Sequence, residues 1–330
     1  MKILFPFLAF ASGFSLSQAA ALQSRSPTYI FNNGNAYWID KLNHITPPNR
    51  IIAKRAYGTA PEHCVLTAKD NSFCAPYNIE VFDIYYADCH APWVVCRCTD
   101  VPSDYNIDVI ADNIGKIPVR ARSWVRHYSF YPSNLKYAAY STLNDINVFG
   151  SWAVSTVLFH ETGHNLDKWV ANSDPNSPAY SGTTAWTNQI NQDSCWPTQY
   201  ASTNSAEDFA EVSVQATYEE NFGGIPIDTT CFTHTETTSR NLLRSAIKMV
   251  PGDLCLDRIT PSTSVCLGPT ARAQGYCNNV LDATAGTGGS SKMVKKAQSA
   301  AEGTLPVHIL MEDVQRAFDA NVSSAKPRTS

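Results

Sequence analysis

The sequence predicts an α+β fold stapled by disulfides, and three observations carry that expectation. Ten cysteines, an even number, are spread through a chain of 330 residues that is 44% hydrophobic and only 16% charged, enough apolar material for a buried core. Residues 78–99 alternate in the manner of a β-hairpin, with Ile79, Val81, Phe82, Ile84 and Tyr86 followed across a Cys-His-Ala-Pro connection by Trp93 and Val95. Two long stretches, residues 151–170 and a second beginning at Ser205, place apolar residues at helical spacing.

Taken in order, residues 1–19 read as a signal peptide: Lys2 supplies the basic start, residues 3–14 the apolar run, and Ser17-Gln18-Ala19 or Ala19-Ala20-Ala21 the small-residue cleavage site. The run is too short to span a bilayer and Pro6 interrupts it, so export to the extracellular space is expected rather than anchoring. Residues 20–55 hold no cysteine and close on the dibasic pair Lys54-Arg55, the boundary of a propeptide or of an N-terminal arm; a zymogen held by a propeptide thiolate is excluded. Residues 56–282 form the expected catalytic domain and contain every cysteine, in a pattern that suits an oxidising compartment and disulfides better than a cysteine zinc site. The side chains of Cys96 and Cys98 would share one face of a strand, so each is expected to pair elsewhere. Within the domain, residues 104–114 predict a short helix, residues 117–128 a strand, and residues 173–182 a loop. Ser205-Ala206-Glu207-Asp208 fits a capping box that opens the second long helix. Residues 283–330 read as a flexible linker and tail, with a short amphipathic segment from Ile309 to Phe318 and a glycosylation acceptor pattern at Asn321-Val322-Ser323.

A formal net charge of -4 supplies no basic footprint, which excludes nucleic acid and an anionic membrane surface as partners. No glycine-rich phosphate loop and no GxSxG elbow is present.

The informative feature is His160-Glu161-Thr162-Gly163-His164. Two histidines four apart on a helix stand one turn apart on the same face, so both imidazoles can reach one ion. Glu161 lies about 100 degrees around that helix from His160, which aims its carboxylate at a metal-bound water rather than at the metal. A third ligand is needed. The metzincin extension would set Gly and His where this chain has Asp167 and Val170, so that class is excluded. The remaining acids are Asp167, Asp174, Asp193, Glu207, Asp208, Glu211, Glu219 and Glu220. Among them Glu207 and Glu211 share one face of a capped helix, where one can bind metal while the other orients a ligand ring. Asp167, three residues after His164, is a further candidate to steady a ligand ring from outside the ligand set.

The stretch from Tyr200 to Glu211, downstream of His-Glu-Thr-Gly-His, resembles the zinc-binding half of the anthrax lethal factor-type peptidases within the gluzincin class. Tyr200 precedes Glu207 by seven residues, and Glu207, Phe209, Ala210 and Glu211 follow an E-x-F-A-E run in order, with Asp208 departing from the aromatic residue of that pattern. The resemblance implies Glu207 as third zinc ligand, Glu211 as its supporting carboxylate and Tyr200 as a donor to the oxyanion.

The expectation is therefore a zincin-like domain with strands on one side of a cleft and the two motif helices as its floor. Its cofactor would be Zn2+, held by His160, His164 and Glu207, and its reaction hydrolysis of an internal bond of a protein or peptide substrate, with Glu161 as base. The alternative is a secreted zinc-binding protein, toxin-like or an interaction module, that has lost turnover.

Overall fold

A computed structural model of the chain describes residues 28–31, 41–70, 73–132, 138–151, 154–172, 178–225, 228–255 and 258–282. The expected signal segment, the linker, the segment from Ile309 to Phe318 and the acceptor at Asn321 lie outside these residues.

Six strands build one mixed sheet: β1 (Arg50–Lys54), β3 (Ile79–Tyr86), β4 (Trp93–Cys98), β5 (His127–Tyr131), β6 (Ala139–Thr142) and β7 (Asp145–Phe149) stand in the order β1-β3-β4-β5-β7-β6. The expected hairpin is β3 and β4, paired antiparallel with Phe82 opposite Val95. The pairs β4–β5 and β5–β7 are parallel, and β1 and β6 close the two edges antiparallel. A small antiparallel pair, β2 (Thr59–Pro61) and β8 (Ser264–Cys266), lies apart from it.

Both faces of the sheet are covered, because side chains alternate along a strand and here both sets are buried. Phe82, Ile84, Tyr86, Trp93, Val95, Tyr128, Phe130, Ile146 and Val148 share one core with the helices α2 (Ile107–Gly115), α4 (Ser155–Trp169), α5 (Thr184–Gln192), α6 (Ser205–Phe222) and α7 (Thr233–Ile247). The opposite set, Ile79, Val81, Val94, Tyr131 and Phe149, packs with α1 (Glu62–Asp70), β2, β8 and the short α8 (Pro269–Ala273). Disulfides lace that second face: Cys64–Cys96 and Cys74–Cys98 tie α1 and the turn after it to β4, and Cys266–Cys277 closes the last loop. Cys89–Cys255 and Cys195–Cys231 complete the set, so all ten cysteines are paired and Cys96 and Cys98 do pair elsewhere. Cys74 and Cys98 lie beside Asp100, but their sulfurs are consumed by the bridge between them and are not metal ligands. No described helix is long and apolar enough to cross a membrane.

The sheet includes a strand on the N-terminal side of residue 55. Lys54 ends β1 and pairs with Glu80, while Arg55 donates to both Asp83 oxygens at 2.8 and 2.7 Å, so cleavage after the dibasic pair would detach an edge strand. Residues 28–31 are likewise built in: Tyr29 bridges Trp196, and Phe31 is buried in the main core.

The strand expected over residues 117–128 is corrected. Pro118 opens a helical turn, α3 (Val119–Arg122), and the strand begins only at His127. The reason lies in Arg122, which is fully buried with its guanidinium over the rings of Tyr86 at 4.3 Å and Trp93 at 4.2 Å. Its Nη2 donates to Asp88 at 2.6 Å and its Nη1 to the Gly115 carbonyl at 3.2 Å, a placement that the helical turn supplies. Asp88→Ala would leave this cation buried and unpaired, a loss expected to cost about 3–5 kcal/mol; equilibrium urea unfolding with the disulfides intact measures it.

At the start of β7, Asp145 receives His127 Nδ1 at 2.9 Å, His63 Nδ1 at 2.8 Å and Arg126 Nε and Nη2 at 2.9 Å each. His127 Nε2 accepts the Ser262 N–H at 3.1 Å, so its proton sits on Nδ1 and the ring links β5, β7 and the segment before β8. Burial alone would raise the Asp145 carboxyl, but these hydrogen bonds hold it well below the usual carboxylate range. A depressed carboxylate contributes stability that is fully present above its unfolded pKa, near 3.9, and is lost as pH falls below it. The urea midpoint should therefore fall more between pH 7 and pH 3 for the native chain than for Asp145→Asn, which should start lower at pH 7.

Candidate metal centre

Helix α4 has two working faces. Leu158, Phe159 and Leu166 enter the main core, while His160 and His164 stand one turn apart with ring centroids 4.9 Å from each other. Across from them runs α6, whose N-cap is Asn204, one residue before the expected Ser205: its side-chain oxygen accepts the N–H groups of Ala206 and Glu207, both at 3.0 Å. The capping box expected at Ser205 is thereby corrected to an asparagine cap, a residue equally suited to that position. Glu207 thus lies in the first turn of α6, where the helix N-terminus favours a negative charge.

Gly163 sets the spacing of the two helices. A Cβ there would lie 2.2 Å from Ser213 Oγ and 3.1 and 3.2 Å from the Ala210 Cα and carbonyl oxygen, so α6 approaches closer than any side chain permits. At that spacing Glu207 Oε2 stands 3.1 Å from His160 Nε2 and 3.3 Å from His164 Nε2, and the donor atoms of the three residues lie within 4.8 Å of one another. One helical turn on, Glu211 Oε1 lies 3.0 Å from His160 Nδ1. The imidazole of His160 is therefore flanked by a carboxylate at each ring nitrogen. Glu211 Oε2 accepts the Thr198 hydroxyl at 3.2 Å.

The charges are strongly coupled. Burial alone would suppress the imidazolium of His160, yet the hydrogen bonds to Glu207 and Glu211 outweigh it and raise the group to about 10. Burial would likewise raise Glu207, but the two imidazoles hold its carboxyl well below the usual range. Both shifts report the mutual attraction of carboxylates and imidazoles at this point. Glu161 is buried beside this group, with one oxygen lacking any hydrogen-bond partner; burial raises its proton affinity, the two histidines lower it and Glu207 raises it further.

The centre opens to solvent at His164 and Glu207. His160 and Glu161 are buried, while the side chains of His164 and Glu207 remain about one-fifth accessible (21% and 20%). Tyr200 stands on that open side, half-exposed, its ring centroid 5.7 Å from that of His160. Partial burial and the carboxylates of Glu207, Glu161 and Glu211 hold its hydroxyl in the protonated form.

Six of the seven residues singled out in the sequence come together here; Asp167 sits apart. It is buried, and its two oxygens accept the N–H and the hydroxyl of Ser181 at 2.8 and 2.5 Å, so no hydrogen bond joins it to a histidine ring and it acts on His164 only through space. It closes the 3-10 turn Tyr180–Gly182 onto α4 instead, and burial lifts its carboxyl to about 6. Asn204, Thr198 and the Gly163–Ser213 contact escaped the sequence reading, because each works through a partner distant along the chain or through a cap one residue early.

The family described as Con-13, conidiation-specific protein Con-13, matches residues 37–324 of this chain. A Neurospora crassa protein named conidiation-specific protein 13 is 32% identical over 291 residues, covering 87% of this chain and 83% of its own length. No solved structure matches. These findings overturn the resemblance to the lethal factor-type peptidases, which rested on the short stretch from His160 to Glu211, whereas the Con-13 match runs through nearly the whole domain. Two acids four apart with an aromatic turned inward form a pattern that any packed helix can carry, so it marks a local geometry rather than a lineage.

Gly163→Ala must push Ser213 aside and strain the Ala210 backbone. The expected cost is about 1–3 kcal/mol of overpacking, with partial recovery in Gly163→Ala/Ser213→Gly, where the side-chain clash is gone; urea unfolding of both variants tests it.

Proposed function

The chain belongs to the Con-13 family, whose name carries no chemistry, and from its own residues we propose that it is a secreted zinc-dependent peptidase. The observation that carries this reading is the convergence of His160 Nε2, His164 Nε2 and Glu207 Oε2 beside a buried carboxylate, Glu161, that has one oxygen without a partner. Ligands about 2.0–2.2 Å from a tetrahedral zinc stand roughly 3.3–3.5 Å from one another, close to the 3.1 and 3.3 Å separations between Glu207 and the two rings. The donor set, two imidazoles and one carboxylate, suits zinc, and three protein ligands leave a position open for water or substrate. Glu161, Glu207 and Glu211 around two imidazoles form a field that calls for a cation. The disulfides, together with the signal pattern at residues 1–19, support secretion. Two crossed helices beneath a mixed sheet, one offering both histidines and the other the carboxylate, support a zincin-like reading of the fold.

His160, His164 and Glu207 would hold a zinc ion, which would supply Lewis acidity and make water more acidic. Glu161 accepts the proton from the attacking water, a task for which its buried, unpartnered oxygen is suited, and returns it to the leaving amine. Tyr200, kept protonated on the open side, donates its hydroxyl to the carbonyl oxygen as negative charge develops there. Glu211 fixes the ring of His160 from its far nitrogen. The substrate is a protein or peptide segment able to reach the open side.

Zinc content by elemental analysis and hydrolysis of an unstructured protein, compared for the native chain and Glu161→Gln, test the proposal. Zinc retained in both, with turnover lost by at least about 100-fold in the variant, is expected for loss of the general base. Zinc in both with turnover in neither would leave a zinc-binding protein without hydrolysis, and no zinc in the native chain would sink the ligand set. Glu207→Ala should weaken zinc binding in a chelator competition, and unchanged affinity would move the third ligand to another acid.

A further inference from the structure

Thr198 lies between the ligand set and the turn that carries Tyr200, and it is buried to 1% exposure. Its hydroxyl oxygen accepts the Ala201 N–H at 3.0 Å, and its hydrogen goes to Glu211 Oε2 at 3.2 Å. A hydroxyl has one hydrogen, and an amide N–H can only donate, so the direction of both bonds is fixed. The other Glu211 oxygen then faces His160 Nδ1 at 3.0 Å. Ala201 opens the 3-10 turn Ala201–Thr203, whose N-cap is Tyr200 itself.

We propose that Thr198 is a positioning residue of the metal centre, a single hydroxyl that sets both the Glu211 carboxylate behind His160 and the turn that presents Tyr200. The inference rests on the zinc reading above. Glu211, held by Thr198, keeps its second oxygen 3.0 Å from His160 Nδ1 as an ion-pair contact, while Nε2 of the same ring faces the side where Glu207 and His164 converge.

The hydroxyl owes its place to the frame and not to the site. Ahead of it the backbone is fixed by Trp196 N–H to the Thr28 carbonyl at 3.0 Å, Ile30 N–H to the Trp196 carbonyl at 3.2 Å and Phe31 N–H to the Pro197 carbonyl at 2.9 Å. Cys195–Cys231 and the Ser194 N–H bond to the Cys231 carbonyl at 2.7 Å pin the same segment to the start of α7. The strap on one side and two directed hydrogen bonds on the other hold Thr198 in place.

The test uses the full chain in its native, Thr198→Val and Thr198→Ser forms. The zinc dissociation constant is read by competition with a chromophoric chelator, and hydrogen exchange is followed at the Ala201 amide. Valine keeps the shape and removes the hydroxyl, so zinc should bind about 10–100-fold more weakly and the Ala201 amide should exchange faster; serine should restore both. A folded Thr198→Val with native zinc affinity overturns the proposal, even if its melting temperature falls, because a purely structural threonine would lower only the latter. Should the valine variant fail to fold, Glu211→Gln probes the same link: weaker zinc binding with Ala201 still protected is expected, and unchanged zinc binding overturns it. A native chain that takes up no zinc fails the peptidase reading itself and this inference with it, whereas native uptake with an indifferent valine variant removes Thr198 alone.

Discussion

The close crossing of α4 and α6 is the constraint on which the rest of the centre depends. His160 and His164 are neighbours by the pitch of one helix, but Glu207 reaches them only because Gly163 lets the second helix approach to backbone contact with Ala210. The same crossing brings Glu211 behind His160, so one ring takes a carboxylate at each nitrogen from consecutive turns of one helix. Glu207 and Glu211 therefore share one helix, and any shift of α6 moves both together.

The sheet explains why the crossing holds. With both faces buried, the strands cannot slip by one residue without turning one core into the other, since neighbouring side chains belong to different layers. Three of the five disulfides lie on the face away from the centre, where α1, β2, β8 and α8 make a thin layer, and two lie with the larger core of the helical face. Reinforcement is thus densest where the covering layer is thinner.

What the sequence discloses follows from how local each feature is. The motif histidines and the β3–β4 hairpin are legible because a fixed spacing maps directly onto one helix face or one pair of strands. The third carboxylate is not legible from the residues alone, since eight acids compete and the choice depends on a helix crossing that joins α4 to α6. Strands β5 and β7 are hard to read because four of their ten buried side chains, His127, Ser129, Asp145 and Asn147, are polar and break the apolar pattern. Helix α7 escapes notice for a related reason: its threonine-rich start has weak helical preference, and packing against α6 supplies what propensity lacks. Asp167 shows the opposite error, a residue well placed in sequence whose carboxylate is taken by the backbone of a neighbouring turn.

The strap formed by residues 28–31 has a bearing on the order of assembly. Its partner, the stretch from Trp196 to Pro197, leaves the ribosome long after the strap itself, and the loop closed by Cys89–Cys255 spans a sequence separation of 166 residues. Contacts so distant along the chain form late, because the entropy of closing the loop is lost before any contact repays it. The first residues of the domain must therefore wait, unpaired, for the segment that carries Thr198. Helices α4 and α6 are separated by far less sequence than the strap and its partner, so their meeting costs less loop entropy than the joining of residues 28–31 to residues 196–197.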